Sequence, residues 1–210
     1  MNTLRYVIPT FHGSLPNKIA FTVLCLLAFN IIPALGADIP PDNVVSMALD
    51  NVHSRAFLMN GDGSLSVYDA TRQSFLVSRL PIPGSFRQFF SIITVSPQGS
   101  FAAIVSASLF SRQISLFKTS DLIEQESALP VATYTLPREK KGDMNVIFAQ
   151  DEKTVFFAYG NTLHFLSTER QEQKELIIGG TLGSIVLTGS DRLAVLHEDA
   201  GAFTIIDAPH

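Results

Sequence analysis

At 210 residues, with 46% hydrophobic and 16% charged side chains, the chain has the composition of a folded domain rather than a disordered one. Its net charge of −4 argues against nucleic acid as a partner, which requires a concentrated basic face. The single cysteine, Cys25, excludes an internal disulfide framework, so the fold must be held by burial alone.

The first 37 residues differ in kind from the rest. Arg5 and Lys18 are their only cations, and they precede "IAFTVLCLLAFNIIPALGA", an apolar run from Ile19 that ends in small residues. That charged, apolar, small-residue order is a secretory signal, with cleavage expected after Ala37 and Asp38 as the new N-terminus. As a membrane anchor the run is at the short edge of the roughly 20 residues that span hydrocarbon, and it contains Asn30 and Pro33. Contact with a membrane is therefore expected only through this segment, if it is left uncleaved. A lipid anchor is disfavoured because Leu24 precedes Cys25 where the lipid-attachment signal takes a small residue. Cleavage removes two cations and no acid, leaving a more acidic, cysteine-free chain whose residues 38–43 form a linker.

After the linker, short runs of β-branched, aromatic and aliphatic residues alternate with clusters of Gly, Asp, Ser and Pro, and strands dominate. Four stretches fall into register: "SRAFLMNGDGSLSVYDATRQ" from Ser54, "GSFAAIVSASLFSRQISLFKTSDL" from Gly99, "KTVFFAYGNTLHFLSTERQ" from Lys153 and "DRLAVLHEDAGAFTIIDAPH" from Asp191. Each is a strand, a turn, a second strand and a polar exit. The exits at Asp69, Lys118, Ser167 and Asp207 recur every ~40–50 residues, the period of a four-stranded propeller blade. A strand-like run precedes each core hairpin ("VVSMAL", "FSIITVS", "NVIFAQ", "GSIVLT"), and another follows the first three ("SFLVSRL", "PVATYTL", "KELIIGG"). The predicted fold is all-β: a propeller of about four blades over residues 44–88, 89–142, 143–180 and 181–210, the last one strand short. It forms an open arc or part of a larger ring, with a β-sandwich as the alternative. Inner runs such as "FAAIV" and "TVFFAY" are apolar without alternation, as strands buried on both faces should be. Phe156 and Ile185 are placed in the core.

Part of this pattern resembles a known group. "TVSPQGSFAAIVS", Thr94 to Ser106, is similar to the Ser-Pro-Asp-Gly turn between the first two strands of WD40-like and YVTN-type β-propeller repeats, and "GSLSVYDATRQ" resembles their third strand with its aspartate exit. The likeness spans about 165 residues of the chain. Gln98 stands where the usual acid would, the other three units lack the Ser-Pro pair, and there is no tryptophan to supply a Trp-Asp signature. The resemblance is to a divergent propeller of the exported kind.

The acidic "NGDGS" start of the first hairpin places Asn60, Asp62 and Ser64 at alternate positions, as in a calcium loop, but Leu65 and Thr71 occupy the places of that loop's glycine and glutamate. Asn-Gly and Asp-Gly pairs are strong hairpin formers, and the stretch is assigned to a turn. No Gly-x-Ser-x-Gly elbow is present, and neither a metal, a cofactor nor a catalytic residue is predicted. His53 falls in a turn and His164 in a strand, both structural. His197, Glu198 and Asp199 put an imidazole and two carboxylates at a strand end, but consecutive residues point in different directions and do not converge without a bend.

The expected function is that of a non-catalytic secreted or periplasmic module binding a protein or a small ligand. Its candidate binding residues are turn residues: Asp62, Ser108, Phe110, Asn161, His197, Glu198 and Asp199. A propeller enzyme or enzyme subunit, lactonase-like or dehydrogenase-subunit-like, using acidic and histidine residues at the channel, is the alternative. The uncharged run within Phe203–Asp207, left without a fourth strand because Pro40 and Pro41 make the linker a poor donor, is expected to self-associate. Expressed whole in an exporting host, the chain should be recovered outside the cytoplasm beginning at Asp38; intact-mass measurement checks this, and a membrane-bound product retaining residues 1–37 would instead mark an anchor.

Overall fold

The computed structural model describes residues 4–7, 43–83, 90–107, 112–124, 129–136, 145–170, 172–189 and 192–207. In chain order the elements are β1 (Leu4–Val7), β2 (Val44–Asp50), β3 (Arg55–Asn60), β4 (Ser64–Asp69), β5 (Ser74–Pro81), β6 (Phe90–Val95), β7 (Phe101–Ala107) and β8 (Arg112–Lys118). There follow the helix α1 (Thr119–Glu124), β9 (Ala132–Leu136), β10 (Asn145–Phe148), β11 (Thr154–Tyr159), β12 (Thr162–Ser167), β13 (Gln173–Ile177), β14 (Leu182–Leu187), β15 (Arg192–His197) and β16 (Ala202–Asp207). They form four antiparallel sheets, β2-β3-β4-β5, β6-β7-β8-β9, β10-β11-β12-β13 and β14-β15-β16-β1. Four successive meanders are the blades of a propeller and not the two layers of a sandwich.

Local chemistry sets each hairpin. Tyr159 pairs with Thr162 across a two-residue turn in which Gly160 has φ 62°, the left-handed value that a type II′ hairpin asks of its first central residue. The first hairpin uses three residues instead: the Gly63 amide donates to the Asn60 carbonyl at 2.9 Å, and Gly63 takes φ 84°.

Packing follows from the period of two along a strand. On β7, Ala102 and Ile104 point into a cluster with Phe57, Met59, Leu65 and Val67 of the first sheet, while Ala103 and Val105 point into one with Val146, Phe148, Val155 and Phe157 of the third. On β11 the neighbours Phe156 and Phe157 part in the same way, Phe156 entering a third cluster with Leu182, Ile185, Leu193 and Val195 of the fourth sheet. Continuous apolar runs thus arise because both faces are covered. Among the described residues, three clusters join first to second, second to third and third to fourth sheet, and none joins fourth to first. The arc is open.

Two features depart from expectation. The exit after β8 coils into α1, a single turn whose Leu122 is fully buried in the seam between the first two sheets. The edge at Phe203–Asp207, expected to self-associate, is instead paired by the chain itself: Val7, Tyr6, Arg5 and Leu4 lie opposite Ala202, Phe203, Thr204 and Ile205. The last unit has three consecutive strands, as expected, but its fourth comes from far upstream of the proline-containing linker, so the ladder groups of β16 already have partners along these residues.

Phe156 is 1% exposed and meets Phe165 edge-on at 5.7 Å between centroids. Phe156→Ala should cost about 3–5 kcal/mol in chemical denaturation, and a loss below about 1 kcal/mol would contradict this seam.

Candidate functional site

The loops joining second to third strands lie along one rim of the arc, and those joining first to second strands along the other. Asp62, Asn161, His197, Glu198 and Asp199 all sit on the first rim, whereas Ser108 and Phe110 lie outside the described residues. Asp62 serves its own turn, its Oδ1 accepting from the Ser64 amide at 2.9 Å and the Ser64 hydroxyl at 2.6 Å. That hydroxyl, and then that amide, hold the Asp62 carboxyl below the usual carboxylate range. The Asn161 carbonyl accepts from the Ile178 amide at 3.0 Å.

The strap that Asn161 holds, residues 178–182, also meets the fourth sheet's turn. The Asp199 carboxylate accepts from the Thr181 amide at 3.2 Å, and the Glu198 amide donates to the Thr181 carbonyl at 2.9 Å. His197 Nε2 lies 2.7 Å from the Thr204 hydroxyl. The structure therefore brings Asn161 and residues 197–199 together through one strap and leaves Asp62 apart. Among the described residues no three His, Cys, Asp or Glu side chains converge on a metal position. His164, buried on β12, lies tilted against Phe157 at 5.5 Å between centroids with its Nδ1 3.1 Å from Gln173 Nε2.

The opposite rim carries a device that no candidate residue anticipated. Its centre is the turn Ser96–Ser100 of the second sheet, hydrogen-bonded by one buried carboxylate and packed against another. From the first sheet comes Asp50, 2% exposed, whose Oδ1 accepts from the amides of Val52 and His53 at 3.1 Å and whose Oδ2 lies 2.8 Å from His53 Nδ1. The carboxylate presses on Gly99 so closely that a Cβ there would lie 2.6 Å from Asp50 Oδ1. Since Gly99 also has φ 76°, the position admits only glycine without strain.

From the third sheet comes Glu152, 6% exposed, whose Oε1 accepts from the Gln98 amide at 2.6 Å. Burial alone would raise its carboxyl, but the hydroxyls of Ser96 and Ser100 and the amides of Gln98 and Ser100 outweigh it and hold the group below the usual range. On the far side of the turn, the Thr119 hydroxyl at the start of α1 donates to the Gly99 carbonyl. The signal available in the sequence was the Ser-Pro-Gln-Gly turn itself. What it could not show is that Glu152, 54 residues downstream of Gln98, supplies the missing acid from the neighbouring blade.

Concavities flank this turn. On one side a cavity of about 390 Å³ is lined by His53, Arg55, Ser100, Lys118, Thr119 and Glu124, among others. Arg55 Nε is buried in the protein without a hydrogen-bond partner. On the channel side a groove of about 300 Å³ runs along Leu49, Asn51, Pro97, Ile147 and Phe148. Between second and third sheets, Arg112 donates to the Tyr159 hydroxyl with its guanidinium 5.3 Å from the ring centroid, and the Tyr134 hydroxyl donates to the Ser167 carbonyl at 2.9 Å. Burial, and then Glu172, push the Tyr134 hydroxyl up. The rim is thus carried on blades locked to one another.

No family model matches the chain, and no curated protein matches it by sequence. Solved structures do match. The Cps50 (Swd1) β-propeller domain of Myceliophteria thermophila superposes with TM-score 0.60 at 12% identity, covering 79% of this chain and 54% of that one. The WD40 domain of Toxoplasma gondii coronin gives 0.57 at 9% identity, covering 80% of this chain and 46% of that one. The fold is that of a divergent WD40-like β-propeller, and the chain spans about half the length of these two chains.

Glu152→Gln keeps the shape and removes the charge, and it is expected to cost about 1–3 kcal/mol near neutral pH. Because the folded carboxyl titrates below its ordinary value, its stabilisation is complete above the ordinary carboxylate pKa and is lost as pH falls through the lowered one. Urea denaturation across the acid range should show the gap between wild type and variant closing; a gap constant with pH would refute the clasp.

Proposed function

We propose that this protein is a non-catalytic interaction module of the secreted or periplasmic space that holds a protein partner on the rim around Ser96–Ser100. The fold supports the scaffold half of this reading, since loops on a rigid propeller are where binding chemistry is carried. The leader-like order of residues 1–37 supports the compartment.

The observation that carries the proposal is the cavity beside the clasped turn. It gathers Arg55, Lys118 and His53 around one mouth beside Thr119 and Ser120. An acidic side chain or a terminal carboxylate of a partner is the group that this arrangement would satisfy, because two cationic side chains and an imidazole line it against a single carboxylate and charge-assisted hydrogen bonds are the strong ones. Glu124 is the one carboxylate among its lining residues. The lactonase-like or dehydrogenase-subunit-like alternative draws on His197 and Asp199, which already hold Thr204 and Thr181, and no observation of its own favours it.

A fluorescent glutamate-rich peptide should bind the protein while its lysine-rich counterpart does not. Lys118→Glu should weaken that binding about tenfold, equivalent to one charge-assisted hydrogen bond, with the melting temperature unchanged. Equal binding of both peptides, or a variant that binds as the wild type does, would sink the assignment.

A further inference from the structure

Asn60–Gly61 is the only Asn-Gly pair in the sequence; every other asparagine is followed by Thr, Lys, Ile or Val. Asn-Gly is also the pair most prone to a reaction that needs no enzyme. The backbone nitrogen of the following residue attacks the asparagine Cγ, and a glycine there has no side chain to shield it. An N–Cγ bond forms, the Cγ–Nδ2 bond breaks, and the side-chain nitrogen leaves as ammonia with the proton that the glycine nitrogen gives up. Water then opens the five-membered succinimide at either carbonyl, to aspartate or to isoaspartate.

In the folded protein both reacting groups are engaged. Asn60 ends β3 and lies opposite Val44 at the start of β2. The Gly61 amide, the attacking nitrogen, donates to the Asn43 carbonyl at 2.7 Å. The Asn60 side chain is pinned by its own leaving group, since Nδ2 donates to the Ser64 hydroxyl at 3.0 Å and to the Ser66 hydroxyl at 3.1 Å. Asn43 also lays its side chain over Gly61, where a Cβ would collide with the Asn43 side-chain amide. Asn43 itself has φ 92°, a left-handed value that asparagine tolerates and β-branched residues do not.

From this we infer that Asn60 is a site of spontaneous deamidation, kept shut by the entry of β2 and opened when Asn43 releases Gly61. The neighbouring Asp62–Gly63 pair, which forms the same succinimide with loss of water, is the internal contrast. The Gly63 amide donates to the Asn60 carbonyl at 2.9 Å and the Asp62 carboxylate accepts from Ser64, so these contacts lie within the hairpin. The lock on Asn60–Gly61 runs instead to a residue outside it. Asn43 is exposed, and β2 begins with Val44 and Val45 at 47 and 52% exposed, so this end of the ladder has little burial to hold it against local opening. Either product loses the Nδ2 donor that Ser64 and Ser66 accept, and isoaspartate lengthens the main chain by one carbon at the end of β3. A first blade whose β2 has come away is thereby marked at its rim, and an intact one is not.

Peptide mapping of the full chain after incubation at mildly alkaline pH tests this. Deamidation at Asn60 should run about a hundredfold slower in the native protein than in urea at the same pH, because three hydrogen bonds must open first and each is worth several-fold. Asn43→Val, strained at that φ, should speed the reaction about tenfold in the folded protein, one hydrogen bond's worth, while isomerisation at Asp62 keeps its wild-type rate. Equal rates in the native protein and in urea would overturn the inference. An Asn43→Val protein that deamidates at the wild-type rate would do so too. Asp62 reports on the hairpin in the same sample, so a variant in which Asn60 and Asp62 accelerate alike shows that the lock is the blade as a whole and not the entry of β2, which also overturns it.

Discussion

A four-stranded sheet with apolar side chains on both faces needs a second sheet on each side, and everything else in this structure answers to that requirement. It explains why β11 is buried along nearly its whole length, and why adjacent residues such as Phe156 and Phe157 serve different cores. It explains the absence of a single central core: three apolar clusters lie between sheets, each shared by two blades. Stability in such an arrangement is a sum over seams, each blade contributing to its neighbours. The two end sheets differ from the rest, since among the described residues each shares an apolar cluster with one neighbouring sheet only.

The hydrophobic seams bring blades together without fixing their height or twist, and the polar contacts at the rims add that. Asp50 and Glu152 occupy the same kind of place, the turn that leaves the innermost strand, and each reaches for the second blade's turn. A buried carboxylate is tolerable only where several donors converge on it. Glu152 meets that condition by gathering amides and hydroxyls from another blade, so its satisfaction depends on the correct approach of the two sheets. Arg112 with Tyr159 and Tyr134 with the Ser167 carbonyl do the same further out along the seam. The cavity holding Arg55 and Lys118 lies against a turn clasped by Glu152 and anchored by Thr119, which is the condition for a binding surface to be preorganised.

What was legible in the sequence was what neighbours along the chain determine. Hairpins, their turn glycines and the doubly buried runs are local patterns, and they gave the four units and the open arc. Asp62 was legible as a turn residue for the same reason, because its partner Ser64 is two residues away. The clasp was not, since Gln98 and Glu152 are related only through the stacking of two blades. Nor was α1, whose residues read as a polar exit until Leu122 found a seam to fill. The missing strand was sought in the linker, next to the first blade, but Leu4–Val7 supply it; four residues inside a segment with leader character carry no local mark of the ladder that they join.

That last pairing makes the architecture depend on whether residues 4–7 stay attached. Cleavage after Ala37 would take Leu4–Val7 away with the leader and return the outer ladder groups of Ala202–Ile205 to solvent. The uncovered strand would be uncharged from Ala202 to Ile206, with none of the lysines or prolines that usually discourage edge pairing. Its backbone groups would then be satisfied by water or by another strand. The apolar face of the same sheet, with Val186 and Leu196, would be unaffected, because it is set by side chains perpendicular to the ladder. Edge and face are therefore separate liabilities of the fourth blade: the first is governed by whether residues 1–37 stay attached, the second by what lies against β14 and β15.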